Sequence, residues 1–423
     1  MEKSDYLRGA PKIGEGAGRG RFLDSFSAQR LDPKNPAAFR ERILSFCRQD
    51  RALAEALIAG NVQMIGFADA KPQFGEHWPR VRDKILLLTE SVIRQHAGPR
   101  DVYVQVSEDQ FIVLFGESDR EKADTVARTI ANEVNAKLTG ATGVRDDLVS
   151  ARGLSLELPP GGLPESIASV EGLAATVNGA QQAAEQAERK AAAAAQAVMT
   201  VRWWPVANMR KRIVSTYQAR LENVPPNPSG GQGTGLYDAE LDAFALKHAA
   251  DALISAGGRK WKGLFLVPIH FETLAGKECR AIYMDVCRLL PRISSRRLLL
   301  EIVDLPDGVP QGRLHTLLSY AGPFFGGFVA RVRIDFRAME RFTGLRMLGV
   351  GIEGKRLLQP TKPVVEALAG FAQAIRKKGT RSYFLNASTF EIATTAKRAG
   401  FDYVQGVAVA PPMAEPGRVF VLR

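Results

Sequence analysis

The chain has 423 residues, 45% of them hydrophobic, and carries 57 Lys and Arg against 45 Asp and Glu, a formal net charge of +12. That length accommodates two or three domains with ordinary cores, and no apolar run reaches the roughly 18 residues of a membrane-spanning helix. The three cysteines, Cys47, Cys279 and Cys287, form no CxxC and no His/Cys pair has ligand spacing, which argues against a disulfide framework and against a zinc site. The basic balance favours acidic partners such as nucleic acid, nucleotides or anionic lipid. No zinc finger and no RNP-type aromatic strand is present, so nucleic acid is not the favoured partner. The densest basic cluster, Ile375-Arg-Lys-Lys-Gly379, reads as a helix C-terminus, where cations oppose the dipole.

Residues 1–35 are polar and rich in Gly, Pro and charges of both signs, and are expected to form a disordered tail. No apolar segment of a signal peptide stands there, so a cytoplasmic protein is expected. GEGAGRGR, Gly14 to Arg21, lacks a preceding strand and a GK[ST] ending, and reads as tail rather than phosphate loop. Residues 36–155 read as a smaller α/β domain. A helix runs from Pro36 to Gly60, with Phe39, Ile43, Leu44, Phe46 and Cys47 on one stripe. A second covers about Trp78 to Gln95. Val102, Val104 and Val106 alternate with polar residues, then Phe111 to Phe115 is apolar, which predicts a β-hairpin. A third helix follows from about Arg120 to Leu138.

Residues 156–197 are a linker, first Pro/Gly-rich, then alanine-rich from Asn178 to Met199. The alanine-rich part predicts a connecting helix that could also serve as a homodimer contact. From residue 198 to 423, strand signals alternate with helices at Ala239–Ala256, Gly276–Leu290 and Thr361–Lys378. Such alternation implies a parallel sheet, and six or seven units in about 220 residues favour a closed (β/α) barrel of the TIM type.

One stretch of this half raises a chemical question. LLLEIVDLPDG, Leu298 to Gly308, surrounds a single carboxylate, Glu301, with aliphatic residues. It reads as a strand buried on both faces, where an unpaired carboxylate is costly. Metal ligand, ion-pair partner and remnant of a lost site are all open, with Arg297 four residues upstream.

Four segments in order carry a family resemblance: RWWPVANMRKRIVSTYQARL, LLLEIVD, VRIDF and AGFDYVQGVAVAPP. Over roughly residues 198–415 the chain resembles the EAL family, the cyclic-di-GMP phosphodiesterase barrels. The resemblance implies carboxylates, an asparagine and a lysine at strand ends, holding hard cations that activate water against a phosphodiester. Most of that shell is replaced. Gln218 stands for the motif Glu, Pro268 for the asparagine and Gly351 for the lysine. Ile334-Asp335 replaces the Asp pair, Asp304 the second Glu of the EITE strand, and Asn386 a later Glu. Glu301 and Gln405 are kept. The implied protein is a degenerate EAL barrel with no catalytic residues, metal or cofactor. Glu301, Asp335, Gln405 and Gln218 are then its barrel-mouth residues, and Arg333 and Arg337 flank Asp335.

VQVSEDQFIVLF resembles the GGDEF hairpin of diguanylate cyclases, over about residues 60–150, with Ser107 to Phe111 in the signature position. Ser107 and Glu108 replace the glycines and Gln110 an acid, so only Asp109 survives and synthesis of cyclic di-GMP is not implied. An unrelated α/β domain with an ordinary hairpin stays open. NPSGGQGTG, Asn227 to Gly235, could cradle phosphate before a helix, but a flexible loop is favoured. His248, His270 and His315 lie in separate segments and form no triad. Trp203-Trp204 read as cover for the barrel floor.

Three functions follow. The first is an inactive EAL-like signalling protein acting through a protein partner or by binding cyclic di-GMP. The second is an active phosphodiesterase with an altered metal shell resting on Glu301 and Asp335. The third is a basic nucleic-acid-binding protein.

Overall fold

The computed structural model of the chain describes residues 28–31, 41, 62–67, 74–115, 120–142, 149–154, 170–228, 234–256, 262–306, 309, 311–335, 339–354 and 361–422. They fall into two compact units, 1–181 and 182–423. Among the described residues no helix is long and apolar enough to cross a membrane.

The first unit contains a five-stranded sheet in the order β1 (Gln29–Arg30), β3 (Val102–Ser107), β4 (Gln110–Leu114), β2 (Val62–Gly66), β5 (Ser150–Leu154). β1 is parallel to β3, and every other pair is antiparallel. The β3–β4 hairpin is the one the Val102, Val104, Val106 alternation predicts. Helices α1 (Trp78–His96) and α2 (Arg120–Thr142) supply Ile85, Val92, Ile130 and Val134 to a core shared with Ile65, Phe67, Tyr103 and Phe111.

Gln29 and Arg30 correct the expectation of a disordered tail. They form a sheet edge, and Arg30 donates to both oxygens of Glu90 on α1, at 2.9 and 3.1 Å. The rest of that tail, and the expected helix from Pro36 to Gly60 apart from Glu41, lie outside the described residues. In the hairpin turn Ser107 Oγ donates to Asp109 Oδ1 at 2.6 Å, so the acid that the cyclase resemblance retains is held by its own turn.

The alanine-rich helix starts earlier than expected, as α3 (Val170–Val198). In the second unit Ala192, Ala195 and Met199 pack on Tyr237 and Leu241 of α4 (Leu236–Ser255). An antiparallel hairpin, β6 (Thr200–Asn208) and β7 (Ile213–Glu222), opens the sheet. Six parallel strands follow: β8 (Leu264–His270), β9 (Leu298–Val303), β10 (Gly327–Arg331), β11 (Met347–Glu353), β12 (Arg381–Leu385) and β13 (Tyr403–Gln405). β13 pairs with β6 and β7 with β8, so eight strands close into a barrel. The short β14 (Phe420–Val421) adds to the start of β7. Helices on the outside are α5 (Phe271–Ala275), α6 (Lys277–Arg288), α7 (Ser294–Arg297), α8 (Gln311–Ala321), α9 (Lys362–Lys377) and α10 (Phe390–Ala399).

All of β9 is buried, and its alternation sorts it by side. Leu298, Leu300 and Ile302 join the core between strands and helices. Leu299 joins Leu266, Val329, Tyr383 and Leu385 in a separate cluster. Glu301 shares the parity of Leu299 and therefore faces the barrel interior.

Gly351 on β11 makes one interior contact feasible. Its register partner is Tyr383 on β12, and a Cβ at Gly351 would overlap the Tyr383 ring and carbonyl. The position at which the resemblance implies a lysine is thus covered by an aromatic ring. Gly351→Ala is expected to lower stability by about 1–3 kcal/mol, read as an earlier urea midpoint at unchanged slope.

Candidate functional site at the barrel mouth

The C-terminal ends of barrel strands are where (β/α) barrels gather their chemistry. Here they hold a chain of alternating charges. Glu301 is fully buried and accepts from three strands: Arg331 Nε on β10 at 3.0 Å, Gln218 Nε2 on β7 at 2.5 Å and the Tyr383 hydroxyl on β12 at 3.2 Å. A carboxylate in a dry interior needs such a shell, because desolvation costs several kcal/mol. Burial opposes the charge of Arg331, but the Glu301 carboxylate outweighs it and holds the guanidinium firmly protonated. Burial pushes the Tyr383 hydroxyl well above the usual phenol range, and the Glu301 charge pushes it further.

The chain continues outward through Glu353, at the end of β11. It accepts from Arg331 at 3.5 Å, Arg220 at 3.3 Å and Asn386 Nδ2 at 3.4 Å. The Arg220 guanidinium lies over the Trp204 ring, 5.3 Å from its centroid. The Asn386 backbone, at φ 64, donates its N–H to Gln405 Oε1 at 2.8 Å. Gly406 follows at φ 151, and a Cβ there would overlap the Ala387 backbone, so the Gln-Gly pair is needed for this turn to close. Two carboxylates and two guanidinium groups leave the network neutral. Gln218 Oε1, Gln405 Nε2 and Trp204 Nε1 are buried polar atoms without a protein partner.

The structure brings together Glu301, Gln218 and Gln405 but not Asp335. β10 ends at Arg331, and Asp335 sits in the turn beyond it, exposed and accepting from Arg333 Nε and Nη2, each at 3.0 Å. Arg297 is not the partner of Glu301. It lies at the start of β9 and donates to the Lys262 carbonyl at 3.1 Å. Arg331, Arg220, Glu353 and Tyr383 were missed by sequence reasoning. The signal for Arg331 was parity: Val329 pairs with Glu301 in register, and Arg331 lies two residues on, on the same face. Trp204 also departs from expectation. It stands at the middle of β6, opposite Gln218, with its ring under the Arg220 guanidinium.

A second cluster stands at the end of β8. His270 Nδ1 is 2.9 Å from Asp242 Oδ1, its backbone N–H donates to Asp242 Oδ2 at 2.9 Å, and Thr273 donates to the same oxygen at 2.6 Å. His270 Nε2 faces Asp304 at 3.8 Å. Burial works against its charge, but Asp242 first, then Asp238 and Asp304, raise its pKa to about 9. His248 and His315 bond elsewhere, to the Phe244 and Thr343 carbonyls. The helix N-terminus after NPSGGQGTG is already filled: buried Glu188 of α3 accepts from Thr234 N at 2.7 Å, Thr234 Oγ1 at 2.9 Å and Tyr237 N at 3.2 Å. Neither a phosphate cradle nor a loose end describes Thr234 and Gly235; residues 229–233 lie outside the described residues. Cys279 and Cys287 are buried thiols, and burial pushes Cys287 up to about 12, which leaves it unreactive.

No protein-family model and no curated protein matches the chain. Its neighbours among solved structures are EAL domains. The FimX EAL domain from Pseudomonas aeruginosa, bound to c-di-GMP, is 14% identical, with 55% of this chain and 96% of that one covered, at a TM-score of 0.38. The Xanthomonas citri FimX EAL domain, also with c-di-GMP, is 15% identical over 57% of this chain and 98% of that one, at 0.39. The Bacillus subtilis YkuI protein, in complex with substrate c-di-GMP and calcium, is 14% identical over 53% and 57%, at 0.41.

Two outcomes follow from the site. Arg331→Met strands a buried carboxylate and is expected to cost about 3–5 kcal/mol in denaturant unfolding, while Glu301→Leu/Arg331→Met recovers most of that loss. The His270 pKa is raised in the folded state, so the stability it contributes is complete below its ordinary 6.5 and disappears as pH rises through about 9. His270→Gln should flatten the pH–stability curve across that window, and the His270 ring signals should titrate near its upper edge.

Proposed function

We propose that this EAL-like barrel is a non-hydrolytic signalling module that works by binding. The observation that carries the reading is the buried Glu301–Arg331 pair. A phosphodiesterase of this type would need Glu301 as an oxygen ligand for a cation. Here both its oxygens accept hydrogen bonds, and the nearest charge is a guanidinium. A divalent ion would have to displace Arg331 from a position 3.0 Å away. Among the described residues no group of three or more His, Cys, Asp or Glu could hold a metal. The donor set therefore does not fit a metal shell.

The same neutrality bears on what is bound. Arg220 and Arg331 are both answered by Glu353, so the mouth offers little unneutralised charge to a bis-phosphate. That favours a protein partner. A second reading, metal-independent capture of cyclic di-GMP, rests on the Arg220–Trp204 stack and on the unpartnered Gln218 Oε1 and Gln405 Nε2. The solved neighbours from P. aeruginosa and X. citri bind that dinucleotide.

Calorimetric titration of cyclic di-GMP with and without Mg²⁺, followed by chromatography of the products, separates the readings. The expected result is no hydrolysis product and no measurable heat. Heat that is independent of Mg²⁺ selects the second reading and should vanish in Arg220→Ala. Metal-dependent product would overturn the non-hydrolytic assignment.

A further inference from the structure

The charge of the barrel is concentrated at the end opposite the site. β8 to β13 run parallel, so helix C-termini and helix-to-strand connections all lie at the strands' N-terminal end. The β6–β7 turn lies there too, because β7 begins there. Exposed cations crowd that end: Arg210–Arg212 at the hairpin tip, Arg376–Lys378 closing α9, Lys397 and Arg398 closing α10, and Arg292 and Arg296 before β9. The carboxylates there are Asp251, Asp285 and Asp402, and only Asp285 and Asp402 form ion pairs with these cations or their neighbours among the described residues. Other guanidinium groups rest on carbonyls, which hold them in place without cancelling their charge. Arg346 donates to the Gly326 carbonyl at 2.8 Å, and Arg376 to that of Gly400 at 2.8 Å.

Helix dipoles account for cations at the ends of α9 and α10. They do not account for the hairpin tip, which ends no helix, or for Arg292 in a connection. Aliphatic side chains stand among the cations. Leu289 is 83% exposed beside Arg288, Ile254 is 60% exposed at the end of α4, and Val421 is 67% exposed on β14. The Leu422 N–H donates to the Arg212 carbonyl at 2.7 Å, which ties Val421 to the hairpin tip.

We propose that this basic end of the barrel docks on an anionic lipid bilayer. Cations supplied by many separate connections at one end suit an extended charged surface. Protruding aliphatic residues among them are what interfacial insertion adds to electrostatic attraction. Single-stranded nucleic acid is read by stacking on aromatic rings, and the most exposed apolar residues here are aliphatic. The surface lies at the opposite end of the strands from the Glu301 network, so lipid and the mouth's partner bind at separate places.

The test is co-sedimentation of the full chain with vesicles of phosphatidylcholine alone and with about one-third phosphatidylglycerol. Binding is expected to the anionic vesicles only, and to weaken with added salt because the attraction is screened. Lys211→Glu/Lys377→Glu/Lys378→Glu, three exposed lysines, should lower the partition coefficient at least roughly tenfold. Leu289→Ser should lower the fraction that survives high salt. Unchanged circular dichroism and unfolding midpoint establish that each variant is folded, and the Gln versions of the three lysines serve if the Glu versions are not. Equal binding to neutral vesicles, no binding to either, or indifference to the lysine changes would overturn the proposal. So would displacement from anionic vesicles by duplex DNA at lower charge concentration than free phosphatidylglycerol.

Discussion

The mouth of this barrel is organised around one buried carboxylate that has to be neutralised. Glu301 sits in a strand with no exposed residue, and water cannot reach it. Its charge is tolerable only because Arg331, Gln218 and Tyr383 converge on it from three other strands. Each of those donors then sets a further requirement. Arg331 needs a second acceptor, which is Glu353. Glu353 draws in Arg220 and Asn386, and Arg220 lies on Trp204. Tyr383 needs room across β11, which only a glycine at position 351 leaves. Gln218, Arg331 and Gly351, far apart in sequence, are therefore coupled. A Gln on β7, a Gly on β11 that leaves room for Tyr383, and an Arg at the end of β10 together complete a self-contained network around Glu301. Buried pairs of this kind contribute little net stability, but breaking them is expensive. A cation at Glu301 would have to displace Arg331, Gln218 and Tyr383 together.

The same device recurs elsewhere in the chain. In the first unit Glu90 accepts from Arg30, Arg94 and the Tyr103 hydroxyl, and ties a two-residue edge strand to α1. Burial pushes Tyr103 up to about 12, so it stays a hydrogen-bond donor at ordinary pH. In the second unit Glu188 crosses from α3 to the N-terminus of α4, where three donors would otherwise lack partners. Asp242 does the same for His270 and Thr273. Among the described residues the buried charges are mostly carboxylates: Glu90, Asp101, Glu188, Asp242, Glu301 and Asp402, against Arg280 alone. That division leaves the mouth neutral and the opposite end basic, although both belong to one small barrel.

Much of the architecture was legible from local pattern. The hairpin at Val102–Leu114 followed from period-two alternation, and the barrel from the alternation of strands with helices over residues 198–423. Glu301 stood out as a charge among aliphatic neighbours, and its need for a partner could be deduced before any fold was known. Two of its companions were also readable: Gln218 touches it, and Gln405, four strands away on β13, closes the turn at Asn386.

What could not be read was the identity of the partners. Arg297 is four residues from Glu301 in sequence and at the far end of the strand. Arg331 is thirty residues away and 3.0 Å distant. Strand register decides this, because a side chain's face and height depend on which residues of separate strands lie level, and no local pattern records that. Asp335 stands outside the Glu301 network because β10 stops four residues short of it and Arg333 pairs with it in the turn beyond. By itself the sequence determined the kinds of element, the barrel and the charge that had to be buried. Only the tertiary structure decided which cation answers that charge, because the choice depends on how eight strands are staggered when the sheet closes.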